Sequence, residues 1–139
     1  MTLIGYTEDG LKILRTDPDI YEVSLSDNLA ASICGGWEGE VPTVEMYVSV
    51  GQQIALYDNV GSCSSAGDFD VDSPLSGEVV AVRNAFVKNP DWSEDEAQEA
   101  WREFLGSDAS TYEGWLFRVR VNGSLPEFRE TEPDYNDLQ

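Results

Sequence analysis

The chain has 139 residues, of which 27 are acidic and 8 are basic, so its formal net charge at pH 7 is -19. A surface this negative repels phosphate backbones and anionic lipid, and we therefore expect neither nucleic acid nor a membrane as a partner. The chain has no histidine, which removes the commonest general base and the commonest metal ligand. We accordingly expect no enzyme activity and no metal site, and the negative charge favours a basic protein or a cation as the partner. We also expect no cofactor.

The same charge balance is typical of proteins adapted to high salt, and that explanation stays open. Only Lys12 and Lys88 are lysines. No apolar run reaches the roughly 20 residues that span a bilayer, and the first residues lack the basic and apolar regions of a signal peptide. We expect a soluble, cytoplasmic protein, or one in an organelle matrix if a transit peptide has been removed.

Short stretches in which apolar and polar residues alternate follow one another along most of the chain. Glycine, proline, aspartate and asparagine separate them, as is usual in antiparallel β structure. The pattern predicts a mainly β fold, either a sandwich or a flattened barrel. The stretches are residues 11–14, 19–26, 43–50, 53–60, 68–73, 77–84 and 114–121.

One segment follows the period of a helix instead. Residues 92–105 place tryptophan, alanine, phenylalanine and leucine at the spacing of a single helix face. Ser93 and Glu96 have the spacing of a capping box. We predict an amphipathic helix whose apolar face, with Trp92 and Trp101, covers one open end of the β core. The alternative is that this face binds a partner.

We predict a single β domain over residues 1–125, with the helix as an insertion at about 91–106. The remaining residues, 126–139, are acidic and interrupted by proline, and we expect them to form a frayed tail. Cys34 and Cys63 are too few for a disulfide framework and match no zinc motif, so we expect free thiols.

A row of aspartates lies in the predicted strand at residues 68–73. Asp68, Asp70 and Asp72 alternate with apolar residues and should share one face of the strand. The spacing is similar to the start of a calcium loop, but Ser73 stands where that loop requires glycine, and its last ligand is missing. A solvated strand face is the favoured interpretation.

Residues 70–90 carry the most specific signal of the chain. Their sequence, DVDSPLSGEVVAVRNAFVKNP, is similar without a gap to a motif of the glycine cleavage system H proteins, which are lipoyl carriers of the biotinyl/lipoyl-domain type. The resemblance implies a lipoyl-domain fold, a barrel-sandwich hybrid. It continues in the same order at residues 6–9, 23–27, 44–51 and 112–121.

The resemblance also implies where a lipoyl-lysine would lie, at the tip of the hairpin that contains the aspartates. In the family this amine carries lipoate, and the arm moves an aminomethyl group between enzymes. Counting back from the Ser-Pro pair places the position at Ala66, and counting forward from Gly51 places it at Gly67. Neither residue has an amine, so we predict that the chain carries no lipoate.

Other departures from the family lie in loops and at chain ends. The family's His-Glu-Trp is replaced at residues 10–12, residues 34–42 resemble an insertion, and the family's long C-terminal helical region has no counterpart. The resemblance therefore implies a retained scaffold with altered surfaces, in which fold carries over better than function.

Three functions stay open. The favoured one is a non-lipoylated scaffold that binds a protein partner or regulates one, with glycine cleavage enzymes, lipoate-handling enzymes or an unrelated assembly as candidates. The second is an acidic inhibitor or immunity-type protein that binds a basic partner. The third is residual carrier chemistry at the Cys63 thiol, although carboxylates nearby in sequence should raise its pKa. The candidate partner contacts are Trp37, Cys63, Asp68, Asp70, Asp72, Trp92 and Trp101.

Overall fold

The alternating stretches form antiparallel strands in the computed structural model, which describes residues 1–34, 42–64, 68–84, 86–106 and 114–138. Within these ranges there are nine strands and two α-helices. The strands are β1 (Thr2–Tyr6), β2 (Leu11–Asp17), β3 (Ile20–Leu25), β4 (Thr43–Met46), β5 (Gln53–Ile54), β6 (Asn59–Ser64), β7 (Asp68–Asp72), β8 (Gly77–Val82) and β9 (Trp115–Val121). The prediction of a mainly β fold is confirmed.

Two antiparallel sheets enclose the core. One sheet has the strand order β1-β2-β3-β9-β8-β5, and the other has the order β4-β6-β7. Their inward residues are fully buried, among them Ile13, Val23, Val71 and Phe117. Because the side chains of a strand alternate between two faces, most polar residues of these strands lie outward, although Glu22 and Ser24 of β3 are buried. The arrangement places the aspartate-bearing β7 at one edge of the smaller sheet.

The second helix is α2 (Glu94–Leu105), and it confirms the prediction for residues 92–105. Ser93 is its N-cap: the Ser93 hydroxyl accepts from the Glu96 amide and the Glu96 carboxylate accepts from the Ser93 amide. Its apolar face is buried against Phe86, whose ring lies 5.3 Å from Trp101 and 5.4 Å from Phe104. This face therefore belongs to the core.

The first helix, α1 (Asp27–Cys34), was not predicted. It begins directly after β3, where the Ser26 hydroxyl accepts a hydrogen bond from the Leu29 amide at 3.2 Å. Serine at this position followed by aspartate is a helix-start signal. The signal was missed because the helix is short. None of the helices in the described ranges has the length and apolar character needed to cross a membrane.

Strand limits differ from the alternation pattern on both sides of Gly51. β4 ends at Met46, and residues 53–60 are divided between two strands by a turn. In that turn the Asp58 carboxylate accepts a hydrogen bond from the Ala55 amide at 2.9 Å. Residues 54–57 are four consecutive apolar residues that break the alternation, and the Asp58 and Asn59 that follow them favour a turn.

The C-terminal segment, residues 126–138, is not frayed, so that expectation was wrong. Tyr6 and Arg129 exchange two backbone hydrogen bonds of 2.9 and 2.8 Å, which attach the segment to the free edge of β1. Farther along, the Asn28 amide donates to the Glu132 carboxylate at 3.0 Å. The segment ends in a short 3-10 helix, Tyr135–Leu138, against α1. The segment is ordered by contacts with residues distant in sequence, and amino-acid composition does not reveal such contacts.

Candidate docking site at the β6–β7 hairpin

The hairpin of β6 and β7 has one buried and one exposed face. Val71 is fully buried, whereas Asp70 and Asp72 are exposed on the other side. Asp70 lies opposite Ser62 in the strand register, and Asp72 lies opposite Asn59. The predicted alternation is confirmed for these two aspartates. For Asp68, the backbone continues the strand, and its side chain lies outside the described residues.

The exposed face continues across the sheet onto β4. Glu45 lies opposite Ser62, and the Ser62 hydroxyl is 2.6 Å from the Tyr47 phenol oxygen. Tyr47 is 54% exposed. Acidic side chains beside an accessible aromatic ring and hydroxyl groups are able to contact a basic protein surface, where the acids provide electrostatic complementarity.

The Ser-Pro pair at the base of the hairpin has a structural function. The Ser73 side chain is fully buried, and its hydroxyl donates to the Leu75 carbonyl at 2.6 Å. The backbone of Ser73 also bonds to two adjacent residues of the β5–β6 turn, donating to Asp58 and accepting from Tyr57 at 2.8 Å each. These bonds fix the end of β7 to the turn that precedes β6.

Gly77, in the same motif, is also required by the fold. It has φ of 150°, and a Cβ there would lie 2.1 Å from the Arg120 carbonyl oxygen. No larger side chain fits at this distance, because the obstacle is backbone in the neighbouring strand β9. The most recognisable motif of the sequence is thus needed for the fold itself, independently of any group attached at the hairpin tip.

Cys63 lies on the buried face of β6. Its side chain is fully buried, the thiol is free, and burial raises its pKa to about 12. The cause is desolvation, and not the neighbouring carboxylates that the sequence suggested. At neutral pH almost none of the thiol is ionised, and the thiolate is the nucleophilic form. The structure gives no support to carrier chemistry at Cys63.

The tryptophan candidates lie in different places. Trp101 is buried, with 2% of its surface exposed, and its ring stacks on Phe104 at 5.4 Å. Trp92 is half-buried, 6.2 Å from the Phe86 ring. Trp37 lies outside the described residues. Of the seven predicted contact residues, the described part of the chain therefore brings only Asp70 and Asp72 together on one exposed face.

By sequence, the hairpin contains no lysine between residues 59 and 72. Both lysines of the chain lie elsewhere: Lys12 is in β2, opposite Ser24, and Lys88 precedes α2. The predicted positions Ala66 and Gly67 lie outside the described residues, and by sequence neither carries an amine. Among the residues that the structure describes, no three side chains of histidine, cysteine, aspartate or glutamate are placed to hold a metal ion.

Comparison with known proteins supports the family that the motifs suggested. The chain is 30% identical over 118 residues to the glycine cleavage system H protein of Shewanella loihica, covering 85% of this chain and 78% of that protein. It is 32% identical over 109 residues to the H protein of Enterobacter sp. strain 638, covering 78% and 70% respectively. The chain belongs to the glycine cleavage system H protein family.

A solved H protein, from Mycobacterium marinum, has the same fold. It superimposes with a TM-score of 0.55 at 21% identity, covering 90% of this chain and 87% of that one. The lipoyl-domain, barrel-sandwich architecture expected from the resemblance is thereby confirmed. No family model matches the chain.

Tyr57 is an accessible residue beside the hairpin that the sequence pattern did not single out. It has φ of 70° and is 78% exposed. Positive φ is costly for a bulky residue, of the order of 1–3 kcal/mol, and such strain concentrates at functional positions. The sequence signal for it is an aromatic residue directly before an Asp-Asn pair, which favours a turn. The predicted alternating stretch 53–60 assigns these residues to a strand instead.

Proposed function

We propose that this chain is a non-lipoylated member of the H protein family that acts as a protein-interaction or regulatory subunit. One observation carries the proposal: the hairpin that holds lipoate in the family is retained, while its sequence from residue 59 to residue 72 has no lysine. Ser73 and Gly77 explain why the hairpin motif persists without the cofactor, since both are needed to build the fold.

The exposed acidic face of the hairpin supports a docking function. Asp70 and Asp72 share that face with Glu45 and Tyr47, and the whole chain has a net charge of -19. The first candidate partners are the enzymes of glycine cleavage and of lipoate handling, because the related proteins are named for that system. The proposed site of action is the cytoplasm, and the chain contributes binding without catalysis.

The proposal predicts that the chain stays unmodified under conditions that lipoylate an H protein. Co-expression with a lipoate ligase and added lipoic acid, followed by intact-mass measurement, should give the mass of the bare chain. An H protein with its lysine, expressed in parallel, is the positive control. Gain of a lipoyl mass would contradict the proposal, and Lys12→Arg and Lys88→Arg would then locate the attachment.

Two matched variants test the hairpin tip. Ala66→Lys and Gly67→Lys each place one amine at a position that the resemblance assigns to lipoate. If only the missing amine prevents modification, one of the two should gain lipoate. If both stay bare, the surrounding small residues have also lost recognition by the ligase. In either case the result for the unaltered chain decides the proposal.

The binding half of the proposal is measured with purified glycine decarboxylase and a lipoate ligase. Calorimetry should detect a complex with at least one of them, and the affinity should fall as salt is added because the hairpin face is acidic. Failure of both to bind would remove the glycine cleavage and lipoate enzymes as partners.

A further inference from the structure

A groove lies beside the hairpin, on the side of the C-terminal segment. Residues 6–9, 56–57, 72–74 and 126–129 line it, and its volume is about 580 Å³. We call it the C-terminal groove. It joins the turn after β1, the turn that contains Tyr57, the base of the hairpin and the segment that pairs with β1. Four parts of the chain distant in sequence thus build one concave surface.

The C-terminal groove combines apolar walls with an excess of negative charge. Leu56, Tyr57 and Phe128 supply apolar and aromatic surface. The lining carries one guanidinium, that of Arg129, and four carboxylates, so its formal charge is -3. The carboxylates are those of Glu8, Asp9, Asp72 and Glu127. The Arg129 guanidinium is 3.4 Å from Glu8, a residue whose side chain is 87% exposed.

This combination fits a long cationic side chain better than a bare ion. A metal ion would use the carboxylates and leave the aromatic walls without contacts. An arginine side chain matches both kinds of lining: its apolar stem suits Leu56 and Phe128, and its guanidinium suits the Tyr57 ring and the nearby carboxylates. Arginine is favoured over lysine because its planar guanidinium stacks on rings and forms paired hydrogen bonds with carboxylates.

Tyr57 adds an exposed aromatic ring to the lining of the groove. Its amide donates to the Ser73 carbonyl at 2.8 Å, which fixes the turn, while its ring remains 78% exposed at the rim. A tyrosine with φ of 70° is less favourable for the fold than glycine would be. The ring is thus held at the rim at a cost in conformational energy.

We infer that the C-terminal groove is the docking point for an arginine-bearing segment of a protein partner. This inference rests on the proposed function, since it assigns a position and a chemistry to the docking that the function requires. It extends that function because the groove uses Leu56, Tyr57 and the C-terminal segment, none of which belongs to the hairpin face.

The test uses the full chain and a defined probe. An acetylated and amidated Gly-Arg-Gly peptide is titrated into isotope-labelled protein, and amide resonances are followed by NMR. The expected result is a shift of the amides of Tyr57, Asp72 and Phe128. The same peptide with citrulline, which keeps the shape of arginine without its charge, should bind at least about fivefold more weakly, because it lacks charge-assisted bonds.

Matched variants distinguish binding in the groove from a general effect of the protein's net charge. Asp72→Asn with Glu127→Gln should weaken peptide binding about fivefold. Glu99→Gln with Glu103→Gln removes the same charge from the exposed side of α2, whose residues do not line the groove, and should change binding less than twofold. Equal weakening by both pairs, equal binding of the citrulline peptide, or no shift at the groove amides would each overturn the inference.

Tyr57→Gly gives a further readout that a folding defect cannot imitate. Glycine relieves the positive φ, so the free energy of unfolding should stay equal or rise, while peptide binding weakens about threefold through loss of the ring. Unchanged peptide binding by this variant would remove Tyr57 from the site and overturn the inference.

Binding of the purified decarboxylase and ligase distinguishes the two proposals. An enzyme that binds the unaltered chain and the Tyr57→Gly variant equally well keeps the proposed function and refutes the groove as its docking point, because Tyr57 belongs to the groove and not to the hairpin face. Specific peptide binding in the groove without binding of either enzyme supports the groove and contradicts the proposed partners.

Discussion

Helix α2 and the C-terminal segment both pack against the β strands, but their positions are encoded in different ways. Helix α2 has a capping box at Ser93 and an apolar face that ends in Trp101 and Phe104, all within one short stretch. The C-terminal segment has no such period. It is held by backbone bonds between Arg129 and Tyr6 and by contacts with α1. Only the first kind of information can be seen before the fold is known.

The two regions also differ in what stabilises them. Helix α2 buries aromatic rings, which contribute through apolar area and ring contacts. The C-terminal segment packs only half-buried side chains such as Phe128 and Leu138 against the core, and it adds backbone hydrogen bonds that each contribute only about 0.5–1.5 kcal/mol net. We therefore expect the helix to be coupled to global unfolding and the segment to open locally. Three substitutions test this comparison.

The largest effect is expected for Trp101→Ala in α2. The indole is 2% exposed and contacts the rings of Phe86 and Phe104. Removing a buried tryptophan typically costs about 3–5 kcal/mol, because transfer free energy is lost and a cavity remains. Denaturant unfolding should show this loss as a lower midpoint of a single transition.

The neighbouring exposed residue supplies the control. Arg102→Ala leaves the apolar face intact and should change the free energy of unfolding by less than about 0.5 kcal/mol. A loss below about 1 kcal/mol for Trp101→Ala would mean that α2 is not part of the cooperative core, and the contrast with the C-terminal segment would disappear.

Much of the fold follows from the sequence where the signals are local. Alternation located most strands, and the capping box located α2 to within two residues. Helix α1 was missed because eight residues give little periodicity, although Ser26 marked its start. Composition predicts a frayed C-terminal tail because the partners of this segment, Tyr6 and Asn28, lie more than a hundred residues away.

The candidate site was predictable only in part for the same reason. Alternation placed Asp70 and Asp72 on one strand face, and the lysine-free hairpin is a property of the sequence alone. Burial of Cys63 and Trp101 depends on which sheet or ring covers them, and the sequence does not show this. The prediction that they contact a partner is therefore not supported, because both side chains are buried. The C-terminal groove requires four distant parts of the chain and has no sequence signature.

A smaller effect is expected for Gly5→Ala, which acts on the C-terminal segment. A Cβ at residue 5 would lie 2.6 Å from the Arg129 carbonyl oxygen and 2.8 Å from the Phe128 Cβ. The strand cannot move without breaking its pairing with β2, so the segment should be displaced. The expected cost is about 1–3 kcal/mol.

Hydrogen exchange shows whether that cost is local. The amides of Tyr6 and Arg129 should lose protection, while the amides of Phe117 and Val119 in β9 should lose much less. Thr2→Ala, at an exposed position of the same strand, should change neither. Equal loss of protection at all four amides would mean that the C-terminal segment unfolds with the core, like α2.

The smallest effect concerns the ionisation of Tyr6 beside the C-terminal segment. Burial raises the pKa of the Tyr6 phenol above its usual value of 10.0, and the charges of Glu132 and Asp27 raise it further. The unfolded chain therefore loses this proton first as pH increases. The contribution of Tyr6 to stability is complete below pH 10 and is lost as pH rises through the higher folded pKa.

Glu132→Gln isolates the part of this shift that the C-terminal segment supplies. The amide side chain keeps an oxygen for the Asn28 amide but removes the charge, so the pKa of Tyr6 should fall toward 10.0 and remain above it because burial persists. NMR of labelled tyrosine rings measures this directly. Glu130→Gln, two residues earlier and exposed, removes an equal charge and should leave Tyr6 unchanged. If the two variants behave alike, the segment does not hold Glu132 beside Tyr6 in solution, and its order along β1 is weaker than the paired backbone bonds imply.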